Sequence, residues 1–143
     1  WIFYAWAGVK TEIEGLETDY FAFADLNPVF DFYTPVIIAN NAFLAEEPET
    51  ARAFLDAVSR GYEFAIEHPR EAGEILCKAA PELDPDLVKA SQEYLADKYQ
   101  AHAPQWGYID QERWDAYYAW LNEKGLTETP IEAGTGCSNE YLP

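Results

Sequence analysis

The sequence predicts an α/β fold with few strands, followed mostly by helices. Residues 1–40 contain short aromatic or β-branched runs separated by Gly, Pro and Asn, which is typical of strands and irregular connections. The rest of the chain places most of its apolar residues at the three- and four-residue spacing of amphipathic helices. A chain of 143 residues with 49% hydrophobic content is long enough to form a domain with its own core.

The first predicted strand is the N-terminal run WIFYAW, which a glycine ends. Alternation places Trp1 and Phe3 on one face, and Ile2, Tyr4 and Trp6 on the other. Because both faces are apolar, we expect this strand to be covered on both sides, as strands are in an α/β sheet. Trp1 and Phe3 are expected to pack beneath the sheet.

Two more strands are predicted before residue 41. The run DYFAFADL at residues 19–26 alternates aromatic and small residues, and Asn27-Pro28 after it is a turn signal. The run PVIIAN at residues 35–40 is apolar and β-branched, which suits a buried strand.

Four helices and an extended tail are predicted after the strands. The first begins at Pro48 and ends near His68, the second opens at Pro69, the third is capped by Asp84, and the fourth runs from Asp110 to Gly125. Their inward faces are predicted to carry, in turn, Ala51, Phe54, Leu55, Val58, Tyr62, Ala65 and Ile66; Ala72, Ile75, Leu76 and Ala79; Leu87, Val88, Ser91, Tyr94 and Leu95; and Trp114, Tyr117, Tyr118 and Leu121. Residues 126–143 lack a period and are expected to lie extended over the body.

The composition excludes several classes of partner. A formal charge of −17 repels phosphate backbones and anionic membrane surfaces, so no nucleic-acid partner is expected. No apolar run approaches the roughly 18 residues that span a bilayer. The two cysteines, Cys77 and Cys137, either form a disulfide or are both free, and their spacing does not decide between these states.

No catalytic, metal-binding or cofactor-binding set is apparent in the sequence. The two histidines, His68 and His102, fall at a helix boundary and in a loop, where exposed positions are expected. They and the two cysteines match no familiar zinc spacing. Gly134-Thr135-Gly136 lacks the strand, helix and lysine of a phosphate loop. We therefore expect no catalytic residue, no metal and no cofactor.

A small-molecule pocket is the remaining hypothesis, with core packing as the alternative for each aromatic residue. Tyr4 and Trp6 would lie at a strand end, beside a glycine where a ligand could approach the backbone. Asp31 and Tyr33 lie between two prolines, in a stiff connector able to pass between two lobes. These four residues are the predicted ligand-binding residues.

The order of motifs along the chain resembles the C-terminal half of NMT1/THI5-like substrate-binding proteins of ABC transporters. The resemblance rests on FYTPVIIANNAFLAEEPETARAFLDAVSRGYEFAIEHPREAGEIL, on the later WGYID with Trp114 after it, and on the closing SNEYLP. It implies a periplasmic-binding-protein fold of type II, of which this chain would be the C-terminal half. Residues 1–28 would end lobe two, residues 29–34 would cross between the lobes, and residues 35–143 would complete lobe one.

The resemblance also bears on the ligand. The run YAWAG is similar to the "Y.WEG" of the branch that binds aminopyrimidine precursors of thiamine, in which the tyrosine stacks on the ring and the glutamate anchors it. Tyr4, Trp6 and Gly8 match that motif, but Ala7 stands in place of the glutamate. A stacking pocket is therefore expected without this polar anchor.

Three functional hypotheses follow. The first is a solute-binding component of an ABC importer, which delivers a small aromatic or heterocyclic nutrient to a permease. It would be periplasmic or extracellular, with or without a lipid anchor on an upstream segment. The second is a pyrimidine-precursor synthase of the same fold; the fungal members depend on a cysteine-rich motif and a histidine, and no such cluster is found here. The third is a ligand-free fragment that self-associates through unpaired strand edges.

Overall fold

The computed structural model describes all residues from Trp1 to Pro143 and contains helices but no strand. The α-helices are α1 (Val9–Ile13), α2 (Phe23–Leu26), α3 (Asn41–Glu46), α4 (Pro48–Glu67), α5 (Pro69–Ala79), α6 (Pro85–Ala96) and α7 (Gln111–Glu123). A π-helical turn covers Tyr4–Gly8, and a 3-10 turn covers Pro28–Phe30. None of these helices is both long enough and apolar enough to cross a bilayer.

The chain divides into two compact units. The first unit consists of Trp1–Asp19 and Phe54–Trp106, and the second unit of Tyr20–Ala53 and Gly107–Pro143. The first unit therefore contains α1, α5 and α6, while the second contains α2, α3 and α7. The division falls within α4.

The predicted N-terminal strand is wrong, because the chain forms a helical turn there instead. The amide of Ala7 donates to the Phe3 carbonyl at 3.0 Å, and the turn continues directly into α1. A strand satisfies its backbone only through a partner strand, whereas a helical turn satisfies it locally. Trp1 is 81% exposed and Phe3 is also exposed, so neither packs beneath a sheet as predicted.

The other two predicted strands are also absent. Residues 19–26 end in the short helix α2, and residues 35–40 form neither helix nor strand. The sequence signal at 35–40 is β-branched, but no second strand is present to pair with it. Asn40 instead caps α3, because its side chain accepts a hydrogen bond from the Ala42 amide at 2.8 Å. The α/β prediction is therefore replaced by helices and irregular segments in this chain.

All four predicted helices are confirmed, together with their starting signals. Pro48, Pro69 and Pro85 occupy first positions, where the missing N–H is not needed. The Asp84 carboxylate accepts from the Asp86 amide at 2.9 Å, and the Asp110 carboxylate from the Arg113 amide at 2.8 Å. The tail after α7 contains no helix, as predicted.

The core of the first unit lies between α5 and α6. Val88 is fully buried, and Leu87 and Ser91 beside it are almost fully buried, as the periodicity of α6 predicted. Gly73 of α5 is buried, and a methyl group placed on it would meet Val88 at 3.5 Å, which is ordinary contact. The space between the two helices would thus accept a methyl group at this position, and their packing does not depend on glycine.

Part of the predicted inward faces of α4 and α5 is exposed instead. Phe54 is 56% exposed and Ile75 is 52% exposed, and Leu76 also lies at the surface. The α5 helix meets α6 on its Gly73 side, so no helix covers Ile75 and Leu76. The α4 helix packs against no other helix, so Phe54 is not covered either. Periodicity identifies an apolar face, but the face is buried only where a neighbour covers it.

We expect Val88→Ala to lower the free energy of unfolding by about 2 kcal/mol, because it removes two buried methyl groups and leaves a cavity. Urea denaturation followed by circular dichroism measures the loss. Val29→Ala is the matched control, since it makes the same chemical change at a position that is only partly buried. Equal effects of the two variants would contradict the assignment of the α5–α6 contact as the core.

Candidate ligand-binding site

The C-terminal helix α7 presents an aromatic face within the second unit. Trp114, Tyr117, Tyr118 and Trp120 recur along it, and all four are partly buried. The Trp114 and Tyr118 rings lie 5.0 Å apart, and those of Tyr117 and Trp120 stack at 6.5 Å. Helical spacing therefore gathers four large rings on one side of a short helix.

The segment of residues 30–33 packs against this aromatic face. The Phe32 ring stacks on Tyr117 with centroids 4.3 Å apart and planes at 19°. Phe30 meets Trp120 edge to face at 5.0 Å. These two contacts place an otherwise irregular connector along one helix.

Arg113 fixes the same segment through its guanidinium. Its Nε donates to the Asp31 carbonyl at 2.5 Å, and its Nη2 donates to the Asp31 carboxylate at 2.6 Å. The guanidinium also lies 4.2 Å from the centroid of the Tyr33 ring, a cation–π distance. The Tyr33 hydroxyl accepts a hydrogen bond from the Asp110 amide at 2.9 Å. Asp31 and Tyr33 are therefore both tied to the start of α7.

A small hollow opens where the segment meets the helix. Its lining is almost wholly aromatic and consists of Phe32, Tyr33, Trp114, Tyr117 and Tyr118. The cavity volume of the hollow is about 30 Å³, about a tenth of the roughly 300 Å³ at which ligand pockets begin. A space of this size holds about one water molecule and does not surround a ring, so its aromatic residues form an open wall.

The C-terminal tail binds along α7. The Trp114 indole donates to the Thr135 carbonyl at 3.0 Å, and the Asp115 carboxylate accepts from the Gly134 amide at 3.0 Å. The Asn139 side chain exchanges two hydrogen bonds with the backbone of Ile109, at 2.8 and 2.9 Å. These bonds fix the ring of Trp114 and the residue that precedes the Asp110 cap.

The two cysteines are free thiols. Cys137 lies in the tail, with its thiol 3.4 Å from the Gln111 side-chain oxygen. Partial burial, together with the negative charge of Asp115, raises the pKa of the Cys137 thiol. A raised pKa lowers the thiolate fraction near neutral pH, which argues against a nucleophilic role for this residue.

The predicted residues Tyr4 and Trp6 lie in the first unit. The Tyr4 ring packs against Tyr94 with centroids 5.3 Å apart, and its hydroxyl donates to the Glu12 carboxylate. A methyl group on Gly8 would come within 2.5 Å of the Tyr4 ring, so only glycine allows this approach. Trp6 is 40% exposed. A π-helical turn of this kind is frequent at functional sites.

Of the predicted ligand-binding residues, the structure places Asp31 and Tyr33 beside α7. The sequence analysis did not point to Arg113, nor to the α7 aromatics as residues that line a hollow. The α7 rings were predicted as a core-facing stripe, because nothing in their spacing distinguishes a core from a pocket wall. Arg113 carried one usable signal, since it is a rare cation in an acidic chain and lies beside Trp114. No group of three or more His, Cys, Asp or Glu side chains is arranged to hold a metal ion.

The chain matches a family model and is similar to named proteins. Residues 1–72 match the family model described as NMT1/THI5 like. The chain is 31% identical over 129 residues to the formylaminopyrimidine-binding protein of Halalkalibacterium halodurans, covering 84% of this chain and 37% of that protein.

Two further relatives extend the range of named ligands. The riboflavin-binding protein RibY of Chloroflexus aurantiacus is 25% identical over 145 aligned positions, covering 94% of this chain and 39% of RibY. The 4-amino-5-hydroxymethyl-2-methylpyrimidine phosphate synthase of Candida albicans is 38% identical over 56 residues, covering 39% of this chain and 16% of the synthase. The chain thus spans less than two fifths of the length of each relative.

We expect Arg113→Ala to release the connector and to speed chymotrypsin cleavage after Phe32 or Tyr33 about fivefold, because roughly 1 kcal/mol of local stability is lost. Limited proteolysis with mass spectrometry measures the rate at each site. The cleavage rate of Arg113→Lys should lie between those of the parent chain and of Arg113→Ala, since lysine keeps the charge but not the forked geometry.

The control is Arg60→Ala, which removes an exposed ion pair to Asp56 within one turn of α4. Cleavage at Phe32 and Tyr33 should not change in this variant. A similar acceleration in both variants would show that Arg113 acts only through general stability.

Proposed function

Because the chain belongs to the NMT1/THI5-like family, we propose that it is part of a solute-binding protein that captures a flat heterocyclic compound. One observation carries the proposal: the 30–33 segment and α7 together form an aromatic hollow with an open side. Such a wall binds a flat ring by stacking, which is worth about 1–3 kcal/mol per ring.

The aromatic wall is rigid before a ligand arrives. The Tyr33 ring is held by the Arg113 guanidinium on one side and by the Asp110 amide at its hydroxyl. Trp114 is held by its indole N–H bond to the tail. Preformed walls bind more tightly because little side-chain freedom is lost on binding.

The names of two relatives support the ligand class. One is named for binding a formylaminopyrimidine and the other for binding riboflavin, and both compounds are flat nitrogen heterocycles. Ala7 cannot supply the ring-anchoring carboxylate that the resemblance implied. We therefore propose that stacking dominates recognition, with polar contacts contributed elsewhere in the protein.

The wider assignments are proposals of the same kind. The whole protein would have the type II fold with two lobes, in which residues 1–28 end lobe two, residues 29–34 cross, and residues 35–143 complete lobe one. Tyr4 and Trp6 would line the cleft from the other lobe. The protein would act outside the cytoplasm, in the periplasm or at the cell surface with or without a lipid anchor, and deliver its ligand to an ABC permease.

A second candidate function is a pyrimidine-precursor synthase. It is favoured by the 56-residue match to the Candida albicans enzyme. The residues here offer stacking surfaces but no paired nucleophile and base, so binding without turnover is the stronger proposal. Bound iron or pyridoxal phosphate together with formation of a pyrimidine phosphate would favour the synthase instead.

We expect the chain to bind riboflavin or a formylaminopyrimidine, and Tyr33→Ala to weaken that binding about tenfold by removing one stacking ring. Isothermal titration calorimetry measures the affinity. Tyr33→Phe should keep most of the affinity, because it retains the ring and loses only the hydroxyl contact with Asp110.

Tyr108→Ala is the control, since Tyr108 is exposed in the same unit and lies outside the hollow. If Tyr108→Ala weakens binding as much as Tyr33→Ala, the hollow is not the ligand wall. Absence of binding by every flat heterocycle tested would contradict the proposed function.

We also propose that the chain self-associates through residues 36–38. Ile38 is 87% exposed, and Val36 and Ile37 are exposed beside it. Residues 32–45 carry no charge, so two copies of a chain of net charge −17 meet least repulsion there.

Light scattering should show a dimer that grows with protein concentration and with added salt, because salt screens the repulsion. Ile38→Lys should reduce the dimer fraction severalfold. Leu126→Lys, which makes a similar change at another exposed site, should leave it unchanged. A monomer at all concentrations and salt levels would contradict self-association.

A further inference from the structure

We propose that the aromatic hollow selects unphosphorylated heterocycles, neutral or cationic, and rejects their phosphate esters. The inference rests on the proposed function, since it assigns a chemical class to the ligand of the same hollow. It separates two kinds of compound that share the same flat ring. Aromatic stacking alone does not distinguish them, so the discrimination must come from charge.

The second unit, which contains the hollow, is strongly acidic. It carries 12 aspartate and glutamate residues, three arginine and lysine residues and no histidine. A phosphate ester brings up to two further negative charges at neutral pH. The field of the unit therefore opposes the ester and not the parent alcohol.

Each cation of the second unit is already paired with a carboxylate. Arg113 lies 2.6 Å from Asp31, Lys124 lies 2.8 Å from Glu123, and Arg52 lies 3.5 Å from Glu140. Phosphate sites in proteins rely on arginine or lysine with donors to spare. Arg113 is the one of these cations that contacts a lining residue, because its guanidinium lies 4.2 Å from the centroid of the Tyr33 ring. A phosphate at the hollow would have to compete with Asp31 for it.

The helix N-terminus beside the hollow is occupied as well. Phosphates often bind the free amides at the start of a helix. At the start of α7, the Asp110 carboxylate accepts a hydrogen bond from the Arg113 amide at 2.8 Å, and the Tyr33 hydroxyl accepts one from the Asp110 amide. The position that would stabilise an anion thus already holds a carboxylate of this chain.

Asp115 adds a carboxylate that no cation neutralises. It directly follows Trp114, and its oxygens accept hydrogen bonds from the Gly134 amide and from the Gln111 side chain, both neutral donors. Glu112, an exposed residue in the first turn of α7, precedes Arg113. Both lie within two residues of the lining residue Trp114 in the sequence.

The first experiment compares matched ligand pairs by calorimetry. The pairs are riboflavin with riboflavin 5′-phosphate, and 4-amino-5-hydroxymethyl-2-methylpyrimidine with its phosphate. We expect each phosphate to bind about tenfold more weakly at low salt, with a gap that narrows as sodium chloride is added. Equal or tighter binding of the phosphates would overturn the proposal.

Charge variants locate the effect. Glu112→Lys should reduce the difference in affinity between the two members of each ligand pair, while the affinity for the unphosphorylated member stays unchanged. Glu74→Lys is the matched control, because it makes the same charge change on α5 in the first unit. If both variants change the difference in affinity equally, the discrimination against phosphate does not come from charges near the hollow.

The second experiment needs no ligand. If no heterocycle binds in the first experiment, that result contradicts only the proposed function, and the second experiment still tests whether the hollow repels anions. The Trp114 contribution is the difference in fluorescence between the parent chain and Trp114→Phe. Each quenching constant is divided by that of free N-acetyltryptophanamide, because iodide is intrinsically the stronger quencher of indole. We expect the normalised value for caesium to be at least twice that for iodide, with acrylamide as the neutral reference. Equal normalised values for caesium and iodide would show that the hollow does not repel anions.

Discussion

The contact between Arg113 and residues 31–33 is the interaction on which the aromatic wall depends. The connector has no regular secondary structure after Phe30, so its position comes from side chains alone. Arg113 contacts the Asp31 carbonyl, the Asp31 carboxylate and the Tyr33 ring at once. One forked, planar side chain thus fixes both the path of the backbone and the tilt of a ring, which lysine cannot do.

The absence of strands has a single physical cause that affects several regions. Strand-forming residues at 1–6 and 35–40 need a partner backbone, and this chain provides none. The first region forms a π-helical turn, and the second leaves its apolar side chains in water. The same lack of neighbours exposes Phe54 and Ile75 on otherwise regular helices.

The parts of the fold that local chemistry determines could be predicted from the sequence. Pro85 after Asp84 marks a helix start wherever it occurs, and the helix followed as expected. Residues 35–40 could not be assigned correctly, because a strand depends on a distant partner. In the candidate site, Asp31 and Tyr33 were predicted from their place between prolines, and both lie beside α7. Arg113 was missed because its contact spans 82 positions in the sequence.

The double hydrogen bond of Asn139 gives the irregular C-terminus a part in shaping the ligand wall. Asn139 binds both backbone groups of Ile109, and the next residue, Asp110, donates its amide to Tyr33. Asn139, four positions before Pro143, is therefore linked to the Tyr33 ring through two hydrogen-bonded contacts, first to Ile109 and then from Asp110. The SNEYLP stretch thus supports the position of Tyr33 through the backbone of Ile109 and Asp110, although none of its residues lines the hollow.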